Sequence, residues 1–177
     1  MLQKFIASAG IILAIASANL ALQENAIGLA IAQRTNTTVP TRDILAKLKP
    51  TTRVPIFLPS RLPFSQRVYY NSKTTENGYS VEFNLTPNCQ GTPCSIGSIE
   101  AEKGGQFITR EPGVTRTFKN IQLARGTRGV FHNGCGAYCT ASVEWQFQGV
   151  LYRVSLKNGL EADAIQIANS AIEAGRR

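Results

Sequence analysis

The amino-acid sequence predicts an α+β fold, a meandering antiparallel sheet of about seven or eight strands with helices packed on one face. Between residues 69 and 157, short segments alternate apolar and polar residues, and stretches rich in glycine, proline and asparagine separate them. This pattern is typical of strands joined by turns. Near each end of that region, apolar residues instead recur at helical spacing. The sequence has no internal repeat or long linker, so residues 41–177 are expected to form a single α+β domain.

The two predicted helices differ in length. The segment TRDILAKLK (41–49) is expected to form a short N-terminal helix that Thr41 caps and Pro50 ends. Its buried stripe is formed by Ile44, Leu45 and Leu48. The segment LEADAIQIANSAIEA (160–174) predicts a C-terminal amphipathic helix, with Leu160 on the apolar face.

The strands are assigned from alternation and from turn residues. In YSVEFNL (79–85), one face is formed by Tyr79, Val81, Phe83 and Leu85. Asn77-Gly78 predicts a tight turn before this strand. Gln148-Gly149 predicts a second hairpin turn. The strand before that second turn is expected to point Trp145 and Phe147 inward. The segment IEAEKGGQFITREPG (99–113) predicts a strand, a Gly-Gly turn and a short strand.

Residues 53–63 (RVPIFLPSRLP) carry a proline at every fourth position. Proline cannot donate a hydrogen bond to a central strand, so we expect an extended edge segment that packs Ile56 and Leu58. The alternative is a polyproline-type ligand that docks into a partner's aromatic groove.

The N-terminal 32 residues predict a signal peptide. Lys4 precedes an apolar run over residues 5–16, and small residues follow it. Cleavage after Ala32 is favoured because polar sequence begins at Gln33, while cleavage after Ala18 and an uncleaved membrane anchor are the alternatives. We therefore expect a periplasmic or extracellular protein without a stable membrane span after cleavage, whose residues 33–40 form a flexible lead-in.

The four cysteines are predicted to form two disulfides. Each pair, Cys89 with Cys94 and Cys135 with Cys139, lies at the neck of a strand–loop–strand connection. Cross-pairing between the loops is the other connectivity considered. A zinc site or a Cys–His nucleophile could instead use His132, the single histidine, but an exported protein meets an oxidising environment. We predict no cofactor and no metal.

The chain is basic, with a formal net charge of +8 and a pI near 9.6. The predicted anion-binding residues are Arg110, Arg116, Lys119, Arg125 and Arg128. Glycines flank the turn that carries the last two, so its backbone can approach an anion closely. The expected partner is an anionic polysaccharide, a lipid head group or an acidic protein. Nucleic acid is not expected, because no binding signature is present. The alternatives are a merely solvated basic surface and a carbohydrate surface formed by Tyr69, Tyr70 and Tyr138.

Catalytic motifs are absent from the sequence: it has no nucleophile elbow, zincin motif, P-loop or dinucleotide fingerprint. The carboxylate pairs Glu100/Glu102 and Glu82/Glu144 could serve glycoside chemistry, but they fall at strand positions predicted to face solvent. The sequence therefore predicts an exported, non-catalytic binding module with disulfide-pinned loops. The alternatives are a hydrolase or a thiol- or metal-dependent enzyme centred on His132, and a structural protein that docks through residues 53–63.

Two stretches carry a resemblance to known proteins. VPIFLPSRLP (54–63) and the C-terminal region from VEWQFQGVLYRVSL (143–156) to IQIANSAIEAG (165–175) resemble small exported bacterial proteins of a cyanobacterial kind without an assigned function. The W-x3-G-x2-Y hairpin and the following helix are also similar to a domain of unknown function at the end of some anti-sigma-factor regulators and lipoprotein-carrier-like proteins. This resemblance covers about the last third of the chain. It implies no functional residues, and the cysteine loops lie outside its pattern.

Overall fold

A seven-stranded antiparallel sheet forms the framework of the computed structural model, which describes residues 36–177. Its strands are β3 (Tyr69–Thr75), β4 (Gly78–Asn84), β5 (Ser95–Lys103), β6 (Thr115–Gln122), β7 (Arg128–Cys135), β8 (Cys139–Phe147) and β9 (Val150–Lys157). A separate two-stranded sheet pairs β1 (Thr37–Thr38) with β2 (Arg61–Leu62). The helices are α1 (Thr41–Leu48) and α2 (Glu161–Ala174). The predicted α+β class is confirmed.

The large sheet consists of two meanders joined side by side. Its strand order is β3-β4-β5-β9-β8-β7-β6, so the last strand of the chain pairs with β5, with Ile99 opposite Val154. The chain must therefore pass from β5, near the middle of the sheet, to β6 at one edge. Residues 104–114, here called the strap, make this crossing without forming a strand. The short strand predicted after the Gly-Gly pair is consequently wrong.

The strap and the helices lie on opposite faces of the sheet. Successive side chains of a strand point to opposite faces. Val143 and Trp145 belong to the main core, whereas Glu144 between them accepts a hydrogen bond from the Ile108 N–H of the strap, at 2.8 Å. The strap also accepts a bond from Gln146 through the Gly105 carbonyl, at 3.0 Å. This second face is therefore partly covered.

Helix α2 covers the other face, as predicted. Its buried side chains are Ala164, Ile167, Ala168, Ala171 and Ile172, which join the core formed by the sheet. The small alanines allow the helix to approach the strands closely, while Ile167 fills the space between them. Leu160 does not share this face. It precedes the first helical residue and is 56% exposed.

Helix α1 contributes Ile44 and Leu48 to the same core, and Leu45 is partly buried against it. The predicted cap is wrong, because Thr41 is already helical and no side chain caps this terminus. The described part of the predicted flexible lead-in is also ordered. Residues 37–38 form β1, and the Val39 N–H donates to the Ser60 carbonyl at 3.0 Å.

Residues 53–63 pack into the core rather than joining the large sheet. Ile56 and Leu58 are buried, as predicted, together with Phe57. The Tyr79 hydroxyl donates to the Phe57 carbonyl at 2.7 Å and accepts from the Phe57 N–H at 2.9 Å. A polyproline ligand must present its side chains to a partner, so this burial contradicts the docking role considered for the segment.

One predicted turn is displaced by a residue. Thr75 pairs with Gly78, so the turn between β3 and β4 is Glu76-Asn77. Gly78 is needed for a different reason, because a Cβ there would lie 2.2 Å from the Ala101 carbonyl oxygen on β5. The Gln148-Gly149 turn is confirmed, with positive φ angles of 51° and 74°.

Candidate functional site

The five predicted anion-binding residues do not form one patch. Lys119 lies on the helix face of β6, where its ammonium pairs with Glu161 at 2.7 Å. Arg125 lies in the connection from β6 to β7, and Arg128 follows it as the first residue of β7. Arg116 lies near the start of β6, about 20 Å along the strand from that connection at the usual rise per residue. Arg110 belongs to the strap.

The connection that carries Arg125 and leads into Arg128 is held in place by α2. The Ala124 N–H donates to Asn169 Oδ1 of the helix at 2.7 Å, and the Thr127 N–H closes the turn onto the Ala124 carbonyl at 3.1 Å. Arg125 adopts a left-handed φ of 55°, followed by Gly126 at 70°. The two guanidinium groups therefore extend from a turn whose backbone is fixed by packing and hydrogen bonds.

Next to this connection is a cavity of about 700 Å³, here called the arginine pocket. Five segments meet there: the extended segment 53–63, the strap, the β6–β7 connection, the end of β8 and the residues that end α2. Its charged lining residues are Arg125, Arg128 and Arg176, and its aromatic lining residues are Phe57, Phe107, Trp145 and Phe147. Among residues 36–177, no acidic residue lines it, so the side chains of this lining carry a formal charge of +3.

The positive charge of the pocket is not neutralised within residues 36–177. None of its three guanidinium groups takes part in the ion pairs found there. Arg125 donates to the Glu173 carbonyl at 2.7 Å, which satisfies one of the free carbonyls at the end of α2 and leaves its other donors available. The Arg177 N–H donates to the Ile56 carbonyl at 3.0 Å, and this bond fixes the chain segment that carries Arg176.

The aromatic wall of the pocket is a packed cluster. Phe57 meets Phe147 edge to face at 5.3 Å between ring centroids, and Trp145 stacks on Tyr152 at the same separation. Trp145 is only 1% exposed, and its indole N–H has no hydrogen-bond partner among the described residues. Phe147 was predicted to point into the core, but it lies at the end of the sheet and is 37% exposed.

A second polar cluster lies under the strap. Glu144 is fully buried, although the alternation pattern predicted a solvated position. Its Oε1 accepts from Arg153 Nε at 2.6 Å and lies 3.7 Å from His132 Nε2, while its Oε2 accepts from the Ile108 N–H. Burial acts to raise the pKa of Glu144, but the neighbouring His132, the Ile108 N–H and Arg153 outweigh it and lower the pKa.

The carboxylates considered for glycoside chemistry can be judged by their separation and by their contacts. Glu82 and Glu144 lie on strands three positions apart in the sheet, a separation of about 14 Å at the usual strand spacing. Glycosidase carboxyl groups lie about 5–9.5 Å apart, so this pair does not fit. Glu82 instead pairs with Lys73 at 2.9 Å, and this hydrogen bond lowers the pKa of Glu82. Glu100 accepts from Ser98 at 2.9 Å.

The predicted disulfides are both present, Cys89–Cys94 and Cys135–Cys139, with Cα separations of 5.6 and 4.0 Å. Cross-pairing between the loops is therefore wrong, and Cys135 offers no thiolate to His132. Among residues 36–177, no group of three or more side chains is arranged to bind a metal ion. The two disulfides are compatible with an exported protein.

The three tyrosines considered for a carbohydrate surface lie at separate parts of the large sheet. Tyr138 lies in the second cysteine loop and is 40% exposed, as predicted, with Lys157 Nζ 5.5 Å from its ring centroid. Tyr69 and Tyr70 lie on β3 at an edge of the sheet. Tyr70 packs edge to face against Phe83, and burial raises its pKa to about 12.

In the part of the chain that the structure describes, no helix is long and apolar enough to cross a membrane. The signal-peptide prediction concerns residues 1–32, which lie outside that part. No protein-family model matches the chain, and neither a curated protein nor a solved structure shows significant similarity to it. The resemblance to small exported bacterial proteins therefore stays a prediction.

Proposed function

We propose that the chain is an exported, non-catalytic binding module, and that the arginine pocket binds an anionic group of its partner. One observation carries this proposal: three arginines line one concave site, and no acidic residue of the described part of the chain joins them there. Concave pockets of a few hundred cubic ångströms are the usual form of a ligand site. Like charges gathered in one cavity repel each other, and an anion relieves that repulsion.

Arginine suits this role better than a general basic surface would. Its planar guanidinium group offers five N–H donors in a fixed geometry that matches the oxygens of phosphate or carboxylate. Arg125 lies in a turn anchored to α2, Arg128 follows that turn at the start of β7, and Arg176 follows the end of the helix. Because the backbone is already ordered, a bound anion loses less free energy in organising the site.

Export is the second part of the proposal. It is supported by the apolar N-terminal sequence and by two disulfides, which are rare in the cytosol. We propose a periplasmic or extracellular location after cleavage of residues 1–32. There, an anionic polysaccharide, a lipid head group or an acidic protein would supply the anion.

The test is a titration with inorganic phosphate at low ionic strength, monitored by isothermal calorimetry on the protein recovered from its exported fraction. Arg128→Gln removes one guanidinium group of the pocket, and Arg110→Gln in the strap is the matched control. We expect saturable binding that Arg128→Gln weakens by at least about tenfold, because a charge-assisted hydrogen bond contributes roughly 1.5–3 kcal/mol. Added salt should also weaken it. Absence of saturable binding, or equal loss in both variants, would refute the site.

A further inference from the structure

We infer that the arginine pocket takes an amphiphilic anion, a molecule with a phosphate or carboxylate head and an apolar body. This inference rests on the proposed function and names the ligand class for the same site. It follows from the aromatic half of the lining, which an inorganic anion would leave without a partner.

Large apolar side chains are exposed beside the arginines of the pocket. Phe147 is 37% exposed, and Phe107 in the strap is half-buried and does not pack into the main core. Both line the cavity that Arg125 and Arg128 line. The carbon atoms of a ligand that covers these rings would stabilise the complex, because removing apolar surface from water is favourable in proportion to the buried area.

The indole N–H of Trp145 has no hydrogen-bond partner among the described residues. Trp145 is 1% exposed and lines the pocket, yet no described residue accepts its hydrogen bond. Buried donors in folded proteins are nearly always paired. Because the indole nitrogen is closed off from solvent, a ligand oxygen reaches it only when the side chains around it shift.

The arginine pocket is larger than an inorganic anion requires. A cavity of about 700 Å³ falls within the range that holds drug-sized molecules, whereas one phosphate ion would fill only a small part of it. The remaining space is bounded by aromatic rings, so a chain or ring of carbon atoms fits it chemically. The head of such a ligand could come from a dispersed amphiphile or from a membrane lipid, and both present the same chemistry.

The experiment uses the only tryptophan of the chain as its reporter, since Trp145 lines the pocket. Its fluorescence is followed in titrations with inorganic phosphate, with octyl phosphate below its micelle concentration, and with octanol. Octyl phosphate carries the same kind of head as phosphate and adds only the apolar chain. We expect it to bind at least about tenfold more tightly than phosphate, since each buried methylene is worth about 0.8 kcal/mol. Octanol should bind weakly.

The variants separate the two halves of the site. Phe107→Ala should weaken octyl phosphate by about fivefold to tenfold and leave phosphate unchanged, because it removes apolar area only. Ile108→Ala is the matched control, since this neighbouring strap residue is exposed and does not line the pocket. Arg128→Gln should weaken both phosphate probes.

The outcomes distinguish this inference from the proposed function. If octyl phosphate binds no more tightly than phosphate, and Phe107→Ala changes neither, the amphiphile inference is wrong while the anion site stands. If no phosphate probe binds, the proposed function itself fails. Sedimentation with phosphatidylglycerol vesicles, against phosphatidylcholine vesicles, identifies the source. Sedimentation that Phe107→Ala and Arg128→Gln both reduce supports a membrane lipid, and octyl phosphate binding without sedimentation supports a dispersed amphiphile.

Discussion

Replacing Glu144 by glutamine tests whether a buried carboxylate holds the strap on the sheet. The side chain is fully buried, accepts from Arg153 Nε at 2.6 Å and from the Ile108 N–H at 2.8 Å, and lies near His132. Glutamine keeps the shape but has only one acceptor oxygen. Its amide N–H₂ must then face one of the two donors, so a buried donor loses its partner.

The cost follows from these contacts. A hydrogen bond to a charged group contributes about 1.5–3 kcal/mol, and an unsatisfied buried donor costs about 1–3 kcal/mol. Arg153 is 32% exposed, so water can compensate part of its loss. We therefore expect Glu144→Gln to lower the free energy of unfolding by about 2–4 kcal/mol, which for a domain of this size lowers Tm by roughly 4–16 °C.

Urea unfolding followed by Trp145 fluorescence measures this change. Glu100→Gln is the control, because it lies on the same sheet face, is only half-buried and accepts from Ser98. That variant should differ from the wild type by less than about 0.5 kcal/mol. If both variants unfold at the same urea concentration, the Glu144 carboxylate does not hold the strap on the sheet.

The same carboxylate predicts a pH dependence with a definite sign. The pKa of Glu144 is lowered in the folded state from its ordinary value of 4.5, so the unfolded chain binds more protons over that window. Its contribution to stability is therefore complete above pH 4.5 and is lost as the pH falls through the lower folded-state pKa. Urea midpoints measured from pH 7 to pH 3 should fall less steeply in Glu144→Gln than in the wild type. Parallel curves would contradict the assignment.

Three further outcomes are expected. Gly78→Ala should lower the free energy of unfolding by about 1–3 kcal/mol in urea, because the new Cβ would meet the Ala101 carbonyl at 2.2 Å; an unchanged midpoint would show that β4 and β5 separate easily. Tyr79→Phe should cost about 1–3 kcal/mol in the same assay, since it leaves the Phe57 N–H without an acceptor. His132→Ala should leave the phosphate affinity measured by calorimetry unchanged. Loss of that affinity would place the phosphate site on the sheet face that the strap covers.

The features that sequence reasoning predicted correctly depend on neighbouring residues. Apolar and polar residues alternate over residues 79–83 and 143–147 because successive side chains of a strand point to opposite faces. Apolar residues near the C-terminus recur at helical spacing because they share one face of a helix. Both patterns can therefore be recognised before the fold is known. The disulfide pairs are local for the same reason, since four or five positions separate their cysteines. The glycines near Arg125 and Arg128 likewise indicated a turn whose backbone can approach an anion.

The features that sequence reasoning missed depend on strand order. Alternation placed Glu144 on the face away from the core, which is correct, but only the crossing from β5 to β6 lays the strap over it. Phe107 and Arg176 are far apart in sequence and carry no shared motif, yet both line the arginine pocket.

Periodicity, cysteine spacing and composition were enough to predict the α+β class, the two disulfides and the net positive charge, because these features act locally or by simple addition. The cavity shared by arginines and aromatic rings, the burial of Glu144 and the need for glycine at Gly78 become visible only in the folded chain. Each of these properties arises where segments distant in the chain meet. The pairing of β5 with β9 decides that meeting, and no local pattern encodes it.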